Sequence, residues 1–398
     1  MSGAAGLAAE AGVIAAVQAA YESGTPVEVC GNASKRGMLR PVQAAARIDT
    51  RALTGITLYS PQELVIGAGA GTPMAEIAAA VAGKGQQITS EPPDFSALFG
   101  STAPQTLGGV VATNLSGPRR VAWGATRDHV MGVRAVNGRG ELVRSGGRVL
   151  KNVTGLDICK LLSGSHGTLA ILTEIVLKVL PRPERRGTVV FAGLNPVQGV
   201  AALSAALGSP YAVCGAAYLP AEAAAALGFR TSVALARIED FAVSVDYRTG
   251  RLREELAQFG PAEVLDDAAS IAAWAAVRDA VPLHGQTGAI WRISVRPSAG
   301  PGVAAALAAA FDARWFMDWG GGLLWIAGPA TEAAHAAVMA AAGKAGGTWL
   351  LFRAPDSLRT AVAVIPDEPA ALARITASVK AAFDPKGILN PGRMYAGI

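Results

Sequence analysis

Short apolar runs separated by glycine-rich turns make up the first 184 residues. Runs of this length bounded by Gly, Pro or Asn are typical of β-strands. They predict strands at PVEVCG, ITLYSP, ELVIGAGA, HVMGVRAVNGRGELVRSGG and TLAILTEIVLKVLP. Apolar residues at helical spacing predict helices at TPMAEIAAAVAGKG and GLDICKLLSG, both of which end at glycine. Asn137 and Gly138 tolerate positive φ, so we expect a tight hairpin turn there.

After PRPERRG at 181–187 the chain becomes rich in alanine, and strands alternate with helices up to about residue 375. The pattern predicts strands at TVVFAGL, AIWRISVRP and LLWIAGP and helices at NPVQGVAALSAAL and PGVAAALAAAF. Gly187–Ala221 is uncharged and longer than a membrane span, but Pro196 and Pro210 would leave backbone groups unpaired in lipid. We therefore expect an α+β fold in which this segment lies inside a globular domain.

Composition and charge exclude several classes of protein. The 398-residue chain has a formal net charge of +5, but its Lys and Arg residues are scattered, which argues against a nucleic-acid surface. Cys30, Cys159 and Cys214 form no CxxC pair, so we expect no iron–sulfur cluster or cysteine-rich zinc site in this chain. The first 24 residues lack a basic region and carry Glu10 and Glu22, which predicts a surface helix and no signal peptide. These features indicate a cytoplasmic protein.

The stretch ELVIGAGAGTPMAEI has some features of a dinucleotide-binding turn. Counting G-x-G-x-x-G from Gly67 places Thr72 where the third glycine belongs. The acidic residue expected about twenty positions further on would be Glu91, which falls in the loop SEPPD. A strand followed by a helix that Thr72 caps and Pro73 begins accounts for all of these residues. We therefore do not assign a nicotinamide dinucleotide site here.

Three other stretches consist mainly of small residues that leave the backbone accessible. They are VCGNASKRG at 29–37, QTLGGVVATNLSGPRRVAWGATRDH at 105–129 and KNVTGLDICKLLSGSHGTLAILTEI at 151–175. In the first, Lys35 and Arg36 follow a turn whose backbone N–H groups can point at a phosphate. Glycines cost conformational entropy and need a structural reason. Three separate turns of this kind favour a large, extended cofactor over a single phosphate.

Together with the tail FDPKGILNPGRMY, these motifs resemble those of FAD-binding flavoproteins of the vanillyl-alcohol oxidase type. Within that type they are most similar to the FAD-binding subunits of bacterial glycolate oxidases, which are glycolate dehydrogenases. EPPD, IWRISVRP and DWGG extend the resemblance into the second half, whereas residues 222–285 carry no matching motif. The resemblance implies an α+β fold with a two-lobed FAD-binding domain and a smaller α+β cap domain. The implied boundaries are 1–184 for the FAD-binding domain, with lobes at about 1–58 and 59–184, 185–378 for the cap, and 379–398 for a C-terminal segment that returns to the FAD-binding domain.

The resemblance also implies which residues contact FAD. The first stretch would wrap the pyrophosphate, the second would line the other side, the third would meet the flavin through backbone atoms, and the tail would approach the same pocket. The implied residues are Gly31, Asn32, Ala33, Ser34 and Lys35; Thr106, Gly108, Gly109, Thr113, Asn114, Gly117 and Gly124; Gly164, Gly167 and Ile171; and Asn390. Members with covalently attached FAD commonly carry a histidine in the pyrophosphate turn. GNASKRG contains none, which implies non-covalent FAD.

A substrate-oxidising site is harder to find than a cofactor site. Related D-2-hydroxy-acid dehydrogenases use a histidine pair and an acidic residue to bind a metal ion and the substrate hydroxyl. Here His129, His166, His284 and His335 form no HxH or HxxxH pair. We expect structural roles for the first two and solvent-facing or core positions for the other two. We therefore expect neither catalytic residues nor a metal site in this chain.

The resemblance thus implies an electron-transferring FAD subunit, inactive alone, of a complex that oxidises glycolate to glyoxylate. Its partners would be a larger catalytic flavoprotein subunit, which holds the substrate site, and an iron–sulfur subunit. Two alternatives remain: an autonomous FAD-dependent 2-hydroxy-acid dehydrogenase and a non-enzymatic assembly subunit. The sequence leaves open whether the complex associates with the inner face of the cytoplasmic membrane. The aromatic residues Trp315, Trp319 and Trp325 predict either a buried core of the cap or a partner surface, with the core favoured.

Overall fold

The computed structural model describes residues 2–147 and 156–397 of the chain. Its strands are β1 (Val27–Cys30), β2 (Ala46–Asp49), β3 (Ile56–Ser60), β4 (Val65–Gly69), β5 (Gln86–Gln87), β6 (Val130–Asn137), β7 (Leu142–Gly146), β8 (Ala170–Lys178), β9 (Leu180–Pro181), β10 (Arg185–Ala192), β11 (Gly215–Leu219), β12 (Val233–Asp240), β13 (Ala262–Leu265), β14 (Ala289–Ser294), β15 (Arg314–Asp318), β16 (Leu323–Gly328) and β17 (Thr348–Arg353). Its helices are α1 (Ser2–Ser23), α2 (Met74–Ala82), α3 (Ser96–Phe99), α4 (Leu107–Thr113), α5 (Arg120–Trp123), α6 (Ile158–Leu162), α7 (Pro196–Gly208), α8 (Ala221–Ala224), α9 (Ala242–Glu255), α10 (Asp267–Arg278), α11 (Gly300–Ala310), α12 (Glu332–Lys344), α13 (Asp356–Ala361) and α14 (Ala370–Phe383). Short 3₁₀ helices connect several of these elements, among them Thr126–His129 and Trp319–Gly321.

The described strands form two larger sheets and two small ones. β1 and β2 pair in parallel and form a small N-terminal sheet, and β5 pairs with β9. A five-stranded antiparallel sheet has the order β3-β4-β8-β6-β7. An eight-stranded antiparallel sheet, called the large sheet below, has the order β13-β10-β12-β11-β15-β16-β14-β17. These sheets and their helices make the α+β arrangement that the sequence predicts.

Three hydrophobic cores lie in the described structure, one at each of the two larger sheets and one at the N-terminal sheet. Ile77 and Val111 pack on the five-stranded sheet, and Val17 of α1 packs with Val27 of β1. The core of the large sheet also takes in Phe95 and Leu115, which come from the loops between β5 and β6. This shared core buries apolar surface from both halves and so holds the large sheet against those loops.

Of the three tryptophans predicted to lie in a buried core, one is fully buried and two are partly buried. Trp325 is 5% exposed and packs edge-on against Phe95 and Phe352, with ring centroids 5.2 and 4.9 Å away. Trp315 and Trp319 are half-buried. The core prediction is therefore confirmed for Trp325, whereas Trp319 lies where the large sheet meets the first half of the chain.

Helix α1 is a surface helix on one face only. Val13 and Val17 on its inner face join the core of the N-terminal sheet. Glu10, expected at the surface, is 7% exposed. Its carboxylate accepts hydrogen bonds from Arg134 Nε at 3.1 Å and from the Thr173 hydroxyl at 2.6 Å. This buried glutamate is stable as an anion because a guanidinium and a hydroxyl replace its water.

Two local predictions are wrong in detail. Pro73 is the N-cap of α2, not its first residue, and the Thr72 hydroxyl accepts the Gly55 N–H at 3.0 Å instead of capping the helix. In the hairpin between β6 and β7, the residue with positive φ is Gly140, at 78°, and neither Asn137 nor Gly138 has positive φ. The loop is longer than a two-residue turn, with the Gly140 N–H bonded to the Asn137 carbonyl.

The segments near the expected boundaries are continuous elements. β3 spans the expected lobe boundary at 58, β10 begins at Arg185, and α14 runs through residue 378 without a break. The division into domains stays a prediction. The uncharged segment 187–221 contains most of β10 and all of α7 and β11, with Asn195 as the N-cap of α7. It therefore lies inside the α+β fold, as expected. Within the described ranges, no helix combines the length and the apolar character needed to cross a membrane.

Candidate functional site

A cleft opens between the N-terminal sheet and the five-stranded sheet. Four segments line it: the turn after β1, helix α4, the turn after α6, and the C-terminal segment. The structure brings together twelve of the sixteen residues implied above, which are Gly31, Asn32, Ala33, Ser34, Lys35, Thr106, Gly108, Gly109, Thr113, Gly167, Ile171 and Asn390. Val29, Ala112 and His166 complete its central part.

Helix α4 separates the cleft from the core beneath it. Leu107, Val110 and Val111 are buried in the core of the five-stranded sheet, whereas Gly109 and Thr113 face the cleft. A Cβ added at Gly109 would meet only one described atom within 4 Å outside the helix backbone, the Thr106 hydroxyl at 3.3 Å. A methyl group here would therefore crowd the Thr106 hydroxyl alone among the described atoms. The missing side chain leaves the helix backbone accessible from the cleft.

The turn after β1 places a buried amine beside the cleft. Lys35 is 8% exposed, and its Nζ donates to Gln105 Oε1 at 3.0 Å. Asn32 Nδ2 donates to the Pro104 carbonyl at 2.8 Å, which ties the turn to the loop before α4. Burial lowers the pKa of Lys35 to about 8, although the charge of Asp94 opposes this shift. No carboxylate forms an ion pair with this amine among the described residues, so a bound phosphate would supply a closer counter-charge than Asp94 does.

Asn390 joins two walls of the cleft. Its Oδ1 accepts the Val29 N–H at 2.8 Å, and its Nδ2 donates to the His166 carbonyl at 2.9 Å. Gly167 has φ of 71°, and a Cβ there would come within 2.9 Å of Asn390 Nδ2. The side chain of Asn390 therefore sets the spacing between β1 and the turn after α6.

A buried ion pair that the sequence analysis missed holds the C-terminal segment in place. The Asp384 carboxylate accepts the N–H groups of Ile388 and Leu389 at 3.1 and 2.8 Å and the Lys380 ammonium at 2.8 Å. Lys380 also donates to the Thr168 carbonyl at 2.7 Å, in the turn that lines the cleft. The signal was present in the sequence, because Lys380 and Asp384 are four residues apart, the spacing that brings side chains together on a helix.

Four of the implied residues do not line the cleft. Gly164 lies against Asn114, with 3.3 Å between its added Cβ and the Asn114 Cβ. A Cβ at Gly117 would overlap the carbonyl oxygen of Glu91, and Gly124 has φ of 80° beside Asp128. Close packing accounts for glycine at these positions without a ligand. The start of the third stretch, KNVTG at 151–155, lies outside the described residues.

Three of the four histidines are engaged away from the cleft. The Nε2 atoms of His129 and His284 lie 2.9 and 3.2 Å from the carbonyl oxygens of Trp123 and Asp279. His335 Nδ1 accepts a hydrogen bond from Trp291 Nε1 at 3.0 Å. His129 is hydrogen-bonded within the protein, as a structural role requires, and His335 lies in the core, one of the two positions expected for it. In the part of the chain that the structure describes, no three His, Cys, Asp or Glu side chains are grouped as a metal ion requires.

His166 is the histidine that lies at the cleft. It is half-buried and has φ of 52°. Burial, and then the positive charge of Arg393, lower the pKa of His166 to about 3. An imidazole with so low a pKa holds a proton weakly and is a poor general base near neutral pH.

A buried ionic network lies where the large sheet meets the loops of the first half. Glu91 accepts two hydrogen bonds from Arg237 of β12, both at 2.9 Å, and Glu239 of β12 accepts two from Arg119, both at 2.8 Å. Burial raises the pKa of Glu239, but Arg237 and Arg119 outweigh that effect and hold it at about 2. Glu91 has φ of 50° and lies against Gly117. Buried ion pairs of this kind fix relative position more than they add stability.

Comparison with known proteins shows the class of protein to which this fold belongs, the FAD-binding flavoproteins. Residues 3–146 match the model of a family described as FAD binding domain. p-Cresol methylhydroxylase with substrate bound has the same fold, with a TM-score of 0.73 and 13% identity over 96% of this chain and 86% of that one. Alkyldihydroxyacetonephosphate synthase does too, with a TM-score of 0.67 and 19% identity over 95% of this chain and 74% of that one. The expected fold class is thereby confirmed.

Relatives with higher sequence identity show to which family of flavoproteins the chain belongs. Glycolate oxidase subunit GlcE of Escherichia coli strain K12 is 34% identical over 381 residues, which are 96% of this chain and 95% of that protein. Glycolate oxidase subunit GlcD of Bacillus subtilis strain 168 is 40% identical over 99 residues, which are 25% of this chain and 20% of that protein. The chain belongs to the family of glycolate oxidase subunits that includes GlcE. It is a flavoprotein oxidoreductase subunit, and its cofactor is FAD.

Proposed function

We propose that this chain is the electron-transferring FAD subunit of a complex that oxidises glycolate to glyoxylate, and that a second, larger flavoprotein subunit holds the substrate. The similarity to GlcE over 95% of that protein supports membership of such a complex. The observation that carries the division of labour is the make-up of the cleft. Small residues make up most of its lining, the Glu28 carboxylate there accepts hydrogen bonds from Arg36 and Arg47, and burial lowers the pKa of the histidine in the lining, His166, to about 3.

We propose that the cleft binds FAD without a covalent bond. When bound, FAD supplies the capacity to take up and release electrons. The Gly31–Lys35 turn would hold the pyrophosphate, with Lys35 as its counter-charge. Gly109 and Thr113 would leave room for the cofactor against α4, and Asn390 would set the width of the cleft through its bonds to Val29 and His166.

The cysteines support placing an iron–sulfur cluster in another subunit. Cys30, Cys159 and Cys214 are buried, unpaired and in separate parts of the fold. Burial raises the pKa of Cys214 to about 12, so its thiol stays protonated and is a poor metal ligand. We therefore propose an iron–sulfur subunit as a further partner. We propose that the complex lies in the cytoplasm and is attached peripherally to the inner face of the membrane.

An anaerobic visible spectrum of the isolated chain tests this function. We expect flavin absorbance that survives addition of glycolate, and that bleaches with dithionite or with glycolate plus the partner flavoprotein subunit. Acid precipitation should release the yellow colour into the supernatant, because no covalent bond holds FAD. Bleaching by glycolate alone would contradict the proposal.

A second candidate, an autonomous FAD-dependent 2-hydroxy-acid dehydrogenase, has one observation in its favour. Asp318, at the end of β15, is 3% exposed, and burial raises its pKa to about 7. A carboxylate with that pKa could act as a general base at neutral pH. The same spectrum separates the two functions, because only an autonomous enzyme bleaches with glycolate alone.

A further inference from the structure

A second cleft opens between helices α2 and α10. It has a volume of about 500 Å³, and in the described structure it has no lining residue in common with the cleft proposed for FAD. A water molecule takes about 30 Å³ of liquid volume, so the second cleft has room for an organic ligand of roughly ten or more non-hydrogen atoms.

Apolar side chains of the two helices form the long walls of the second cleft. On α2 they are Ala75, Ala78 and Ala82, whose spacing places them on one face of the helix. On α10 they are Ile271 and Ala275, four residues apart, and Ile271 is 42% exposed. Both walls therefore leave apolar surface in water, which an apolar ligand would cover.

Two arginines line one end of the second cleft. The Arg182 N–H donates to the Gly85 carbonyl at 2.7 Å, just after α2 ends. The Arg186 N–H donates to the Asp267 carboxylate at 2.8 Å, where α10 begins. The two side chains therefore belong to the end of the cleft that the end of α2 and the start of α10 define.

Neither of these guanidinium groups donates a hydrogen bond to a carboxylate within the described ranges. Arg186 is 9% exposed, and carboxylate oxygens of Glu239 and Asp267 lie 3.5 and 3.6 Å from its guanidinium nitrogens. Burial lowers the pKa of Arg186, and the charges of Arg119 and Arg182 add to this shift, although Glu239 and Asp267 oppose it. An anion held at hydrogen-bond distance would therefore stabilise the buried guanidinium.

Two further arginines of the lining are neutralised within the protein. Arg237 donates two hydrogen bonds to Glu91, and Arg278, the last residue of α10, donates two to Asp279. The positive charge that lacks a close partner is therefore concentrated at the end of the second cleft where α10 begins. The cleft thus combines one cationic end with apolar walls.

We propose that the second cleft binds an anion with an apolar chain, with the anionic group at Arg182 and Arg186 and the chain between α2 and α10. Medium-chain carboxylates such as octanoate have this chemistry. The walls that meet the chain are apolar, so binding needs no polar group beyond the carboxylate. This inference does not rest on the proposed electron-transferring role, since binding requires no oxidation.

Calorimetric titration of the flavin-containing full chain with octanoate tests the site. We expect saturable binding of one octanoate per chain, and roughly tenfold or weaker binding of octanol, which lacks the charge, and of acetate, which lacks the chain. Arg186→Gln and Arg182→Gln should each weaken octanoate binding by roughly tenfold. Arg185→Gln is the matched control, because Arg185 is exposed, pairs with Asp246 and lies outside the cleft lining.

A substitution in α2 tests the apolar wall without removing a charge. Ala78→Leu places a larger side chain in the second cleft and should weaken octanoate binding by roughly tenfold or more, because it occupies the space for the chain. Ala79→Leu is the matched control, since Ala79 is exposed on the same helix and is not among the lining residues.

Four results would overturn the site: no saturable octanoate binding by the unmodified chain, octanol binding as tight as octanoate binding, octanoate binding that neither arginine variant weakens, or equal binding by Ala78→Leu and Ala79→Leu. Melting temperatures of each variant separate loss of the site from loss of the fold. Arg182→Gln and Ala78→Leu, both at exposed positions, serve if Arg186→Gln does not fold. The outcomes remain separate from those for the proposed function, because the titration does not depend on the oxidation state of the flavin.

Discussion

The cleft that we propose for FAD is lined mainly by glycines and other small residues, together with a few charged side chains such as Lys35 and Arg393. The face of the large sheet that meets Glu91 and Arg119 carries the buried charges of Arg237 and Glu239. In the cleft, α4 turns Gly109 and Thr113 outward and leaves backbone atoms within reach of a ligand. At the sheet, Glu91 and Glu239 are neutralised by arginines that come from the other half of the chain.

The difference shows two uses of polar groups in one fold. Groups that are satisfied within the protein, such as the carboxylates of Glu91 and Glu239, fix how its parts sit together. A buried charge without an ion-pair partner among the described residues, such as the Lys35 amine, marks a place where an anionic ligand would complete the charge balance. Substitutions in the two regions should therefore change different quantities, stability at the sheet and cofactor affinity at the cleft.

The largest effect is expected for Glu239→Ala in the ionic network. The change leaves Arg119 buried without its two hydrogen bonds, which should lower the free energy of unfolding by about 3–5 kcal/mol. Chemical denaturation measures it, and Glu263→Ala on the exposed edge strand β13 is the control. The pKa of Glu239 is about 2 in the folded protein, and its usual value is 4.5. Its contribution to the free energy of unfolding is therefore complete above about pH 4.5 and is lost as the pH falls through 2. Equal stability of the two variants would contradict a structural role for the network.

Asn390→Leu should act on the cleft instead. Leucine is similar in size but leaves the Val29 N–H and the His166 carbonyl without partners, each at a cost of about 1–3 kcal/mol. We expect roughly hundredfold weaker FAD binding by the apoprotein, measured by quenching of flavin fluorescence. Asn195→Ala, which removes the cap of α7 far from the cleft, should cost about 1 kcal/mol of stability and leave FAD affinity unchanged. If both variants bind FAD equally well, Asn390 does not control the width of the cleft.

Local patterns in the sequence predict strands such as β1, β6 and β8 but not β2 or β12, and the resemblance to known flavoproteins implies most of the cleft residues. Glycine and small residues after β1 and in α4 signal an accessible backbone, and twelve of the sixteen implied residues do line one cleft. Gly117 shows the limit of that signal. Glycine permits any close approach, and only the folded chain shows that the neighbour of Gly117 is the Glu91 carbonyl.

Pairings between distant residues could not be predicted from the sequence. Glu91 and Arg237 are 146 positions apart, and their contact depends on which face of β12 turns toward the loops. The sequence places Glu91 in a loop just before two prolines and gives no reason to expect a buried carboxylate there. The second cleft has the same origin, since it combines α2 and α10 from two halves of the chain.

Gly109→Ala should lower FAD affinity while changing stability little. Alanine favours a helix by about 1 kcal/mol over glycine, but its methyl group would lie 3.3 Å from the Thr106 hydroxyl that caps α4 and so offset part of that gain. The added methyl group projects toward the cleft, where we expect about tenfold weaker FAD binding. Gly250→Ala in α9 has open space around it and should give the helix gain without the loss of affinity. Unchanged FAD binding by Gly109→Ala would mean that α4 does not contact the cofactor.

The smallest expected effect is a pH dependence of FAD binding that Lys35 controls. In the free protein the pKa of Lys35 is about 8, lowered by burial from the usual 10.5, so the amine is cationic below pH 8 and mostly neutral above it. The anionic pyrophosphate favours the cationic amine, and above pH 8 binding must therefore take up a proton. FAD affinity should be constant between pH 6.5 and 7.5 and should fall by up to about tenfold per pH unit above 8. Lys35→Met should bind FAD more weakly and without this dependence, whereas Lys84→Met, at an exposed lysine, should behave like the unmodified chain. A flat profile for the unmodified protein up to pH 9 would show that the buried amine does not face the phosphates, and would leave Asn390 and α4 as the parts of the cleft that hold the cofactor.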